Sequence, residues 1–369
     1  MVFRRAEATA GEVEAEKGLG WTAWLLNRGV AAFDETGMRE SLERWVREPD
    51  FTYMGNLSSV GGTALVTEIS TRSDVFGNNF GWGQPVAARS GSGNKADGKA
   101  TVFEGPPELG GSMSLEVFIA PDALTRLVTD EEFMGAGATD DGVRVVSRRM
   151  VHPYTPPPMA NGNGCHPAKE DVEVIHLTPW DLRLITIDYI QKGILLPKSL
   201  VSGDDLVNAL ASSFALALGP FYPFAGRLAA DERVDDGTVS VFLRCTGEGA
   251  EFVLAVAPEV AVADIVSKLY TLPVVWKFYS LNEVLGDAAI HQLPVLAVQV
   301  TELADGVFIG MTLNHSAGDG TAFWHFFNTW SEIHRRVFAG GTAGIIVTTW
   351  TLPITYTLDM RSCVNCEVI

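Results

Sequence analysis

The stretch LNHSAGDGTAF, Leu313 to Phe323, sets His315 four residues ahead of Asp319, with glycines at Gly318 and Gly320. An imidazole with an unperturbed pKa of about 6.5 is suited to taking a proton from a hydroxyl or amine near neutral pH. Asp319 has two uses open to it. It can bond the ring, or it can cap a following helix by accepting hydrogen bonds from first-turn amides. On spacing alone, a loop histidine beside a capping aspartate outweighs a catalytic pair.

Other chemistries are weaker. GNKADGKA, Gly93 to Ala100, has the pattern G-x-x-x-x-G-K. However, Ala100 stands where a phosphate loop needs Ser or Thr, and TVFEG after it is strand-like rather than helical. A loop between two strands is expected there. Cys363 and Cys366 form a C-x-x-C pair, but zinc needs two further ligands and the last histidine is His334, so no metal site is expected. The nucleophile-elbow pattern G-x-S-x-G does not occur, which argues against a serine hydrolase. The cluster FWHFFNTW reads as core packing, with His325 a core or boundary histidine. GNNFGWGQP, Gly77 to Pro85, suits a tight turn carrying buried aromatics at Phe80 and Trp82.

The elements that must position these residues follow from periodicity. The paired runs in LPVLAVQVTELADGVFIGMTLNH predict a hairpin turning near Asp305-Gly306. After Asp319, Phe323, Phe326, Phe327, Trp330 and Ile333 recur at helical spacing. His315 is therefore placed where a strand ends, and Asp319 where a helix begins. Upstream, WTAWLLNRGVAAFDETGMRESLERWVREPD has helical spacing, and SMSLEVFIA and VRVVSRRMV are strand-like. PDALTRLVTDEEFM predicts a helix with Leu124, Leu127 and Val128 on one face. Met150 to Asp171, rich in Pro, Gly and Asn, is expected to be irregular.

Three blocks separate: 1–139, 140–336, and an unpatterned tail, 337–369. With 369 residues, 47% hydrophobic and 20% charged, the chain has the composition of a soluble globular protein with a sizeable core. The net charge of −18 argues against nucleic acid or an anionic membrane as partner. The 4 cysteines (Cys165, Cys245, Cys363, Cys366) are too scattered for a disulfide framework, which favours a reducing compartment. A glutamate-rich N-terminus and the lack of a long apolar run predict a cytoplasmic protein.

HSAGD resembles the HxxxD signature of the plant BAHD acyltransferases, and the likeness extends further. VRVVSRRMVHPYTPPP, IHLTPWDLRLITIDYIQKGILLP, FALALGPFYPFAGRL and NHSAGDGTAFWHFFNTW resemble successive N-terminal segments of that family, in its uncharacterised-acetyltransferase-like subgroup. NNFGWGQP is similar to the family's DFGWG signature, with Asn79 in place of aspartate. NKADGKATVFEG, GGSMSLEVFIAPDAL and DEEFM resemble its closing hairpin and last helix. The order is thus inverted, a C-terminal portion preceding an N-terminal one with the middle missing. That pattern fits a fusion of neighbouring gene copies better than a circular permutation.

The resemblance implies a mixed α/β fold of the chloramphenicol-acetyltransferase-like kind, one domain near complete and the second partial. It implies His315 as general base, with Asp319 and Gly318 shaping the motif and Asn79, Phe80, Gly81, Trp82 and Gly83 forming a structural loop. The family's loop aspartate pairs with an arginine. If that arginine were present and buried here, Asn79 would leave it unpaired at a cost of about 3 kcal/mol or more. Acyl-CoA is implied as co-substrate, with no permanently bound cofactor, and a small-molecule alcohol or amine as acyl acceptor. A monomer working in plant secondary metabolism is expected. Because half of the second domain is missing, two further expectations stand beside transfer: a non-catalytic remnant, and a weak acyl-CoA or ester hydrolase.

Overall fold

The computed structural model describes residues 8–31, 34–51, 53, 66–70, 73–93, 95, 97–105, 110–120, 142–154, 172–199, 201, 203–234, 237–267 and 271–338. The expected helix after Pro121, most of the Pro/Gly/Asn segment, the tail beyond Phe338 and Cys165, Cys363 and Cys366 lie outside them.

The fold is mixed α/β, as expected. Its centre is a six-stranded sheet built from β2 (Ala87–Ser90), β5 (Arg144–Val151), β7 (Ile190–Pro197), β10 (Ala250–Ala257), β11 (Leu296–Leu303) and β12 (Gly306–Leu313). The order across the sheet is β2-β7-β12-β11-β10-β5. Only the β10–β11 neighbours run parallel; the other pairs are antiparallel. Every residue of β12 is buried, which explains why its sequence is apolar throughout instead of alternating. The hairpin joining β11 to β12 turns at Ala304 and Asp305, where the sequence places it.

Two helices pack on one face. Along Gly203–Leu218, the buried Leu206, Val207, Leu210 and Phe214 make a single apolar stripe. Along Gly320–Phe338, Phe323, Phe326, Phe327 and Trp330 do the same. Phe214 meets Trp330 with ring centres 5.0 Å apart and Phe326 at 5.5 Å, both edge to face.

Two three-stranded sheets complete the architecture of the described residues. One contains β6 (Val174–His176), β8 (Arg227–Glu232) and β9 (Val239–Arg244). The other contains β1 (Val66–Ser70), β3 (Lys99–Glu104) and β4 (Met113–Phe118), all from the first block. GNKADGKA accordingly connects two strands, β2 and β3. At the N-terminal end the helix-like stretch resolves into two helices, Gly18–Ala31 and Glu35–Arg47. Asp34 caps the second by accepting from the Gly37 amide at 2.9 Å.

Strand β2 matters most for the site. It belongs to the first block, yet it extends the sheet of the second, with Ala88 opposite Ile194 and Ser90 opposite Lys192.

Candidate active site

His315 occupies the turn between β12 and the Gly320–Phe338 helix, and only 7% of it is exposed. The turn is held from both sides of the histidine. Asn314, fully buried, accepts from the Ser316 amide at 2.9 Å, a bond that spans His315, and donates to the Gly286 carbonyl at 2.8 Å. Ser316 Oγ donates to the Asp181 carbonyl at 2.9 Å. Asp181 is fixed in its turn by the hydroxyl and amide of Thr178, at 2.6 and 2.7 Å. The imidazole therefore stands on a backbone with little freedom to shift.

Asp319 is the helix cap. Its Oδ1 accepts from the Thr321 and Ala322 amides, both at 3.0 Å. Of the two uses the sequence leaves open, this is the one adopted, and it spends the carboxylate on orphan amides rather than on the ring. Gly318 makes room within the same turn: a Cβ there would lie 3.1 Å from Leu313 and 3.3 Å from Phe224.

Burial pushes the His315 pKa down to about 4. Its own backbone carbonyl and, more weakly, Glu68 and Asp319 pull the other way. Among the described residues, Nδ1 has no hydrogen-bond partner of sound geometry. The ring is thus neutral at physiological pH, the form a proton acceptor needs.

The FGWG loop sits on the same helix, farther along. Phe80 is fully buried, its ring centre 4.9 Å from Trp330, 5.6 Å from His334 and 6.3 Å from Phe327. Trp82 meets His334 at 5.7 Å. Gly81 and Gly83, with φ of 104° and 142°, supply the backbone shape that a tight turn between these aromatics requires. His334 is itself fixed, with Nδ1 2.9 Å from Ser213 Oγ. From Asp319 to Phe327 and Trp330 is two to three helical turns, so the loop contacts lie roughly 12–16 Å along the helix from the cap. The loop and the histidine turn share one supporting helix.

Asn79 is half-exposed and accepts from the Gly81 amide at 2.7 Å, closing the turn by itself. The residue that sequence reasoning missed is its neighbour. Asn78, fully buried, donates at 2.7 Å to Asn328 of the helix, and Asn328 donates back to the Ser73 carbonyl at 2.8 Å. The doubled asparagine in GNNFGWG was the available signal.

Also missed was a buried ionic junction between the small first-block sheet and the main sheet. Glu68 lies between Lys192 Nζ at 2.9 Å and Lys99 Nζ at 3.1 Å. Burial opposes ionisation of Glu68, but the two ammonium groups outweigh it and hold the carboxyl well below the usual range. A lysine in the largely apolar strand YIQKGILLP was the visible clue. Among the described residues there is no group of side chains suited to hold a metal ion, and no helix is long and apolar enough to cross a membrane.

The sequence model of the Transferase family matches residues 2–134 and 165–341. The chain belongs to this family, the BAHD acyltransferases of plants. An uncharacterized acetyltransferase of Arabidopsis thaliana is 43% identical over 166 residues, covering 45% of this chain and 37% of that protein. The hydroxycinnamoyl-CoA:5-hydroxyanthranilate N-hydroxycinnamoyltransferase HHT1 of Avena sativa is 40% identical over 126 residues, covering 34% and 27%. Among solved structures, vinorine synthase matches with a TM-score of 0.40 and 21% identity, over 58% of this chain and 46% of that one. The chain therefore spans less than half the length of these BAHD relatives.

Proposed function

We propose that this BAHD chain transfers an acyl group from acyl-CoA to an alcohol or amine, with His315 as general base. The observation that carries the reading is the neutral, buried imidazole on a turn clamped by Asn314, Ser316 and Asp319. The oat relative is named as a hydroxycinnamoyl-CoA:5-hydroxyanthranilate N-hydroxycinnamoyltransferase, which supports a thioester donor here.

The acceptor's O–H or N–H gives its proton to the imidazole as its heteroatom attacks the thioester carbonyl. The tetrahedral intermediate then expels the coenzyme thiolate, which takes the acceptor's proton from the imidazolium, leaving the free thiol and a neutral ring. Glu68 and Asp319 ease that transient positive charge. Asp319 keeps the turn in place and takes no proton. The FGWG loop, with Asn79, Phe80, Gly81, Trp82 and Gly83, anchors the first block and is structural in this reading. The first block is the family's C-terminal portion placed ahead of the N-terminal one, and β2 is the strand through which it completes the sheet.

The test is thiol release from acyl-CoA by the purified chain, with and without an alcohol or amine acceptor, against His315→Ala. Acceptor-dependent release should fall by about 10²–10⁴-fold in the variant while its melting behaviour stays near that of the parent. An equal rate in parent and variant sinks the proposal. Release that needs no acceptor points to hydrolysis, and no release from a well-folded parent points to a non-catalytic relative.

A further inference from the structure

The GNKADGKA loop has no part in the reaction above, yet it delivers an amine into an unusual setting. Lys95, half-buried, donates from Nζ to Ser90 Oγ at 2.8 Å. Ser90, on β2, is buried, and its hydroxyl donates in turn to the Glu116 carboxylate, which also accepts from the Ser90 amide at 3.1 Å. Arg89 Nε stands 3.9 Å from the other oxygen of Glu116 and helps to fix it. The result is a continuous chain from amine to hydroxyl to carboxylate.

The surroundings of Nζ favour its uncharged form. The Phe118 ring face, its centre 3.6 Å from Nζ, favours the ammonium, but burial opposes it, as do the buried ammonium groups of Lys99 and Lys192, which share the single carboxylate of Glu68. Burial first, and then Lys99 and Lys192, bring the Lys95 pKa down to about 7, with Glu116 and Glu68 opposing. Desolvation beside other cations is one of the ways an amine is made nucleophilic at neutral pH.

We propose that Lys95 is a nucleophile that acylates itself from an acyl thioester, using Ser90 and Glu116 as its proton relay. Nζ attacks the thioester carbonyl, forming a C–N bond as the C–S bond breaks. The amine proton passes to Ser90 Oγ while the Ser90 proton passes to Glu116, which later returns a proton to the departing thiolate or to solvent. The products are Nε-acyl-lysine and the free thiol, with no oxidant or metal required. The relay does not involve His315, so it stands or falls separately from the transfer reaction.

The experiment incubates the full chain with acetyl-CoA across a pH series and maps acetyl-lysine by peptide mass spectrometry. Acetylation at Lys95 should outpace that at the exposed Lys17 and Lys198. Its rate should level off above about pH 7, whereas a free lysine amine in a model peptide keeps gaining towards its pKa of about 10.4. Lys95→Arg should remove that acetyl-lysine alone. Glu116→Gln should slow labelling at Lys95 and leave Lys198 unchanged, and His315→Ala should leave Lys95 labelling intact. The proposal is overturned if Lys95 labels no faster than Lys198, if its rate climbs through pH 10 as a surface amine does, or if His315→Ala abolishes it. The pH profile of the parent chain decides the matter even where Glu116→Gln fails to fold.

Discussion

Replacing Phe80 by alanine removes the ring through which the FGWG loop grips the Gly320–Phe338 helix. The ring is wholly buried and contacts Trp82, Phe327, Trp330 and His334. Burying such a side chain is worth about 3 kcal/mol in transfer terms. The 4.9 Å edge-to-face contact with Trp330 adds about 0.5–1.5 kcal/mol beyond area, and the cavity left behind relaxes only partly. Phe80→Ala should therefore destabilise the chain by about 4 kcal/mol, near the middle of the range for buried phenylalanines. Phe80→Leu, which keeps most of the volume, should cost under about 1.5 kcal/mol. Equilibrium urea unfolding followed by tryptophan fluorescence suits the measurement, because Trp330 and Trp82 report on the same contact. A loss below about 1 kcal/mol for the alanine variant would refute the argument, since a cost that small belongs to surface substitutions away from the core.

Two further outcomes follow from the histidine turn. Asp319→Ala should cost about 1 kcal/mol in stability, whereas Asp319→Asn, an equally good cap, should keep the fold and most of the turnover, losing only a weak charge effect on the ring; a collapse of activity in the asparagine variant would mean that the charge acts strongly on the ring. His315 and His334 both have pKa values lowered by burial to about 4, against about 6.5 unfolded, so the unfolded chain binds more protons between those limits. The stability they contribute is complete above about pH 6.5 and is lost as pH falls towards 4, at about 3 kcal/mol per histidine. Chemical denaturation at pH 7, 5.5 and 4.5 reads this directly, and a flat profile would contradict the burial of both rings.

The parts of the fold that could be read from sequence were those set by local periodicity. The β11–β12 hairpin, the stripe Phe323–Phe326–Phe327–Trp330 and strand β5 follow from spacing alone, because each residue's fate depends on neighbours a few positions away. The address of His315 was legible for the same reason, while the choice of Asp319 between ring and helix was not. That choice turns on which donors come within 3 Å, a tertiary matter. Asn78 was not legible because the sequence likeness marks Asn79, where the family has aspartate. Adjacent side chains in a turn point in different directions, and it is the tertiary fold that turns Asn78 towards the helix. The junction of Glu68, Lys99 and Lys192 joins three short strands from two blocks, and no local pattern announces a single charge that pairs across sheets.

The bond between Asn78 and Asn328 joins residues 250 positions apart, and the pairing of β2 with β7 spans more than a hundred. At about 5–20 residues per second, a ribosome needs roughly 12–50 s to make the chain between them. Throughout that interval Phe80 and its loop are already synthesised while the helix that shelters them does not yet exist. Loop-closure entropy over such a span must be met before any of its contacts form, which places β2 docking among the late steps of folding. The nascent first block thus presents an uncovered aromatic turn, and for roughly a hundred residues of further synthesis an unpaired strand, while the second block is being made. This arrangement makes the yield of folded protein a question of chaperone occupancy as much as of final stability.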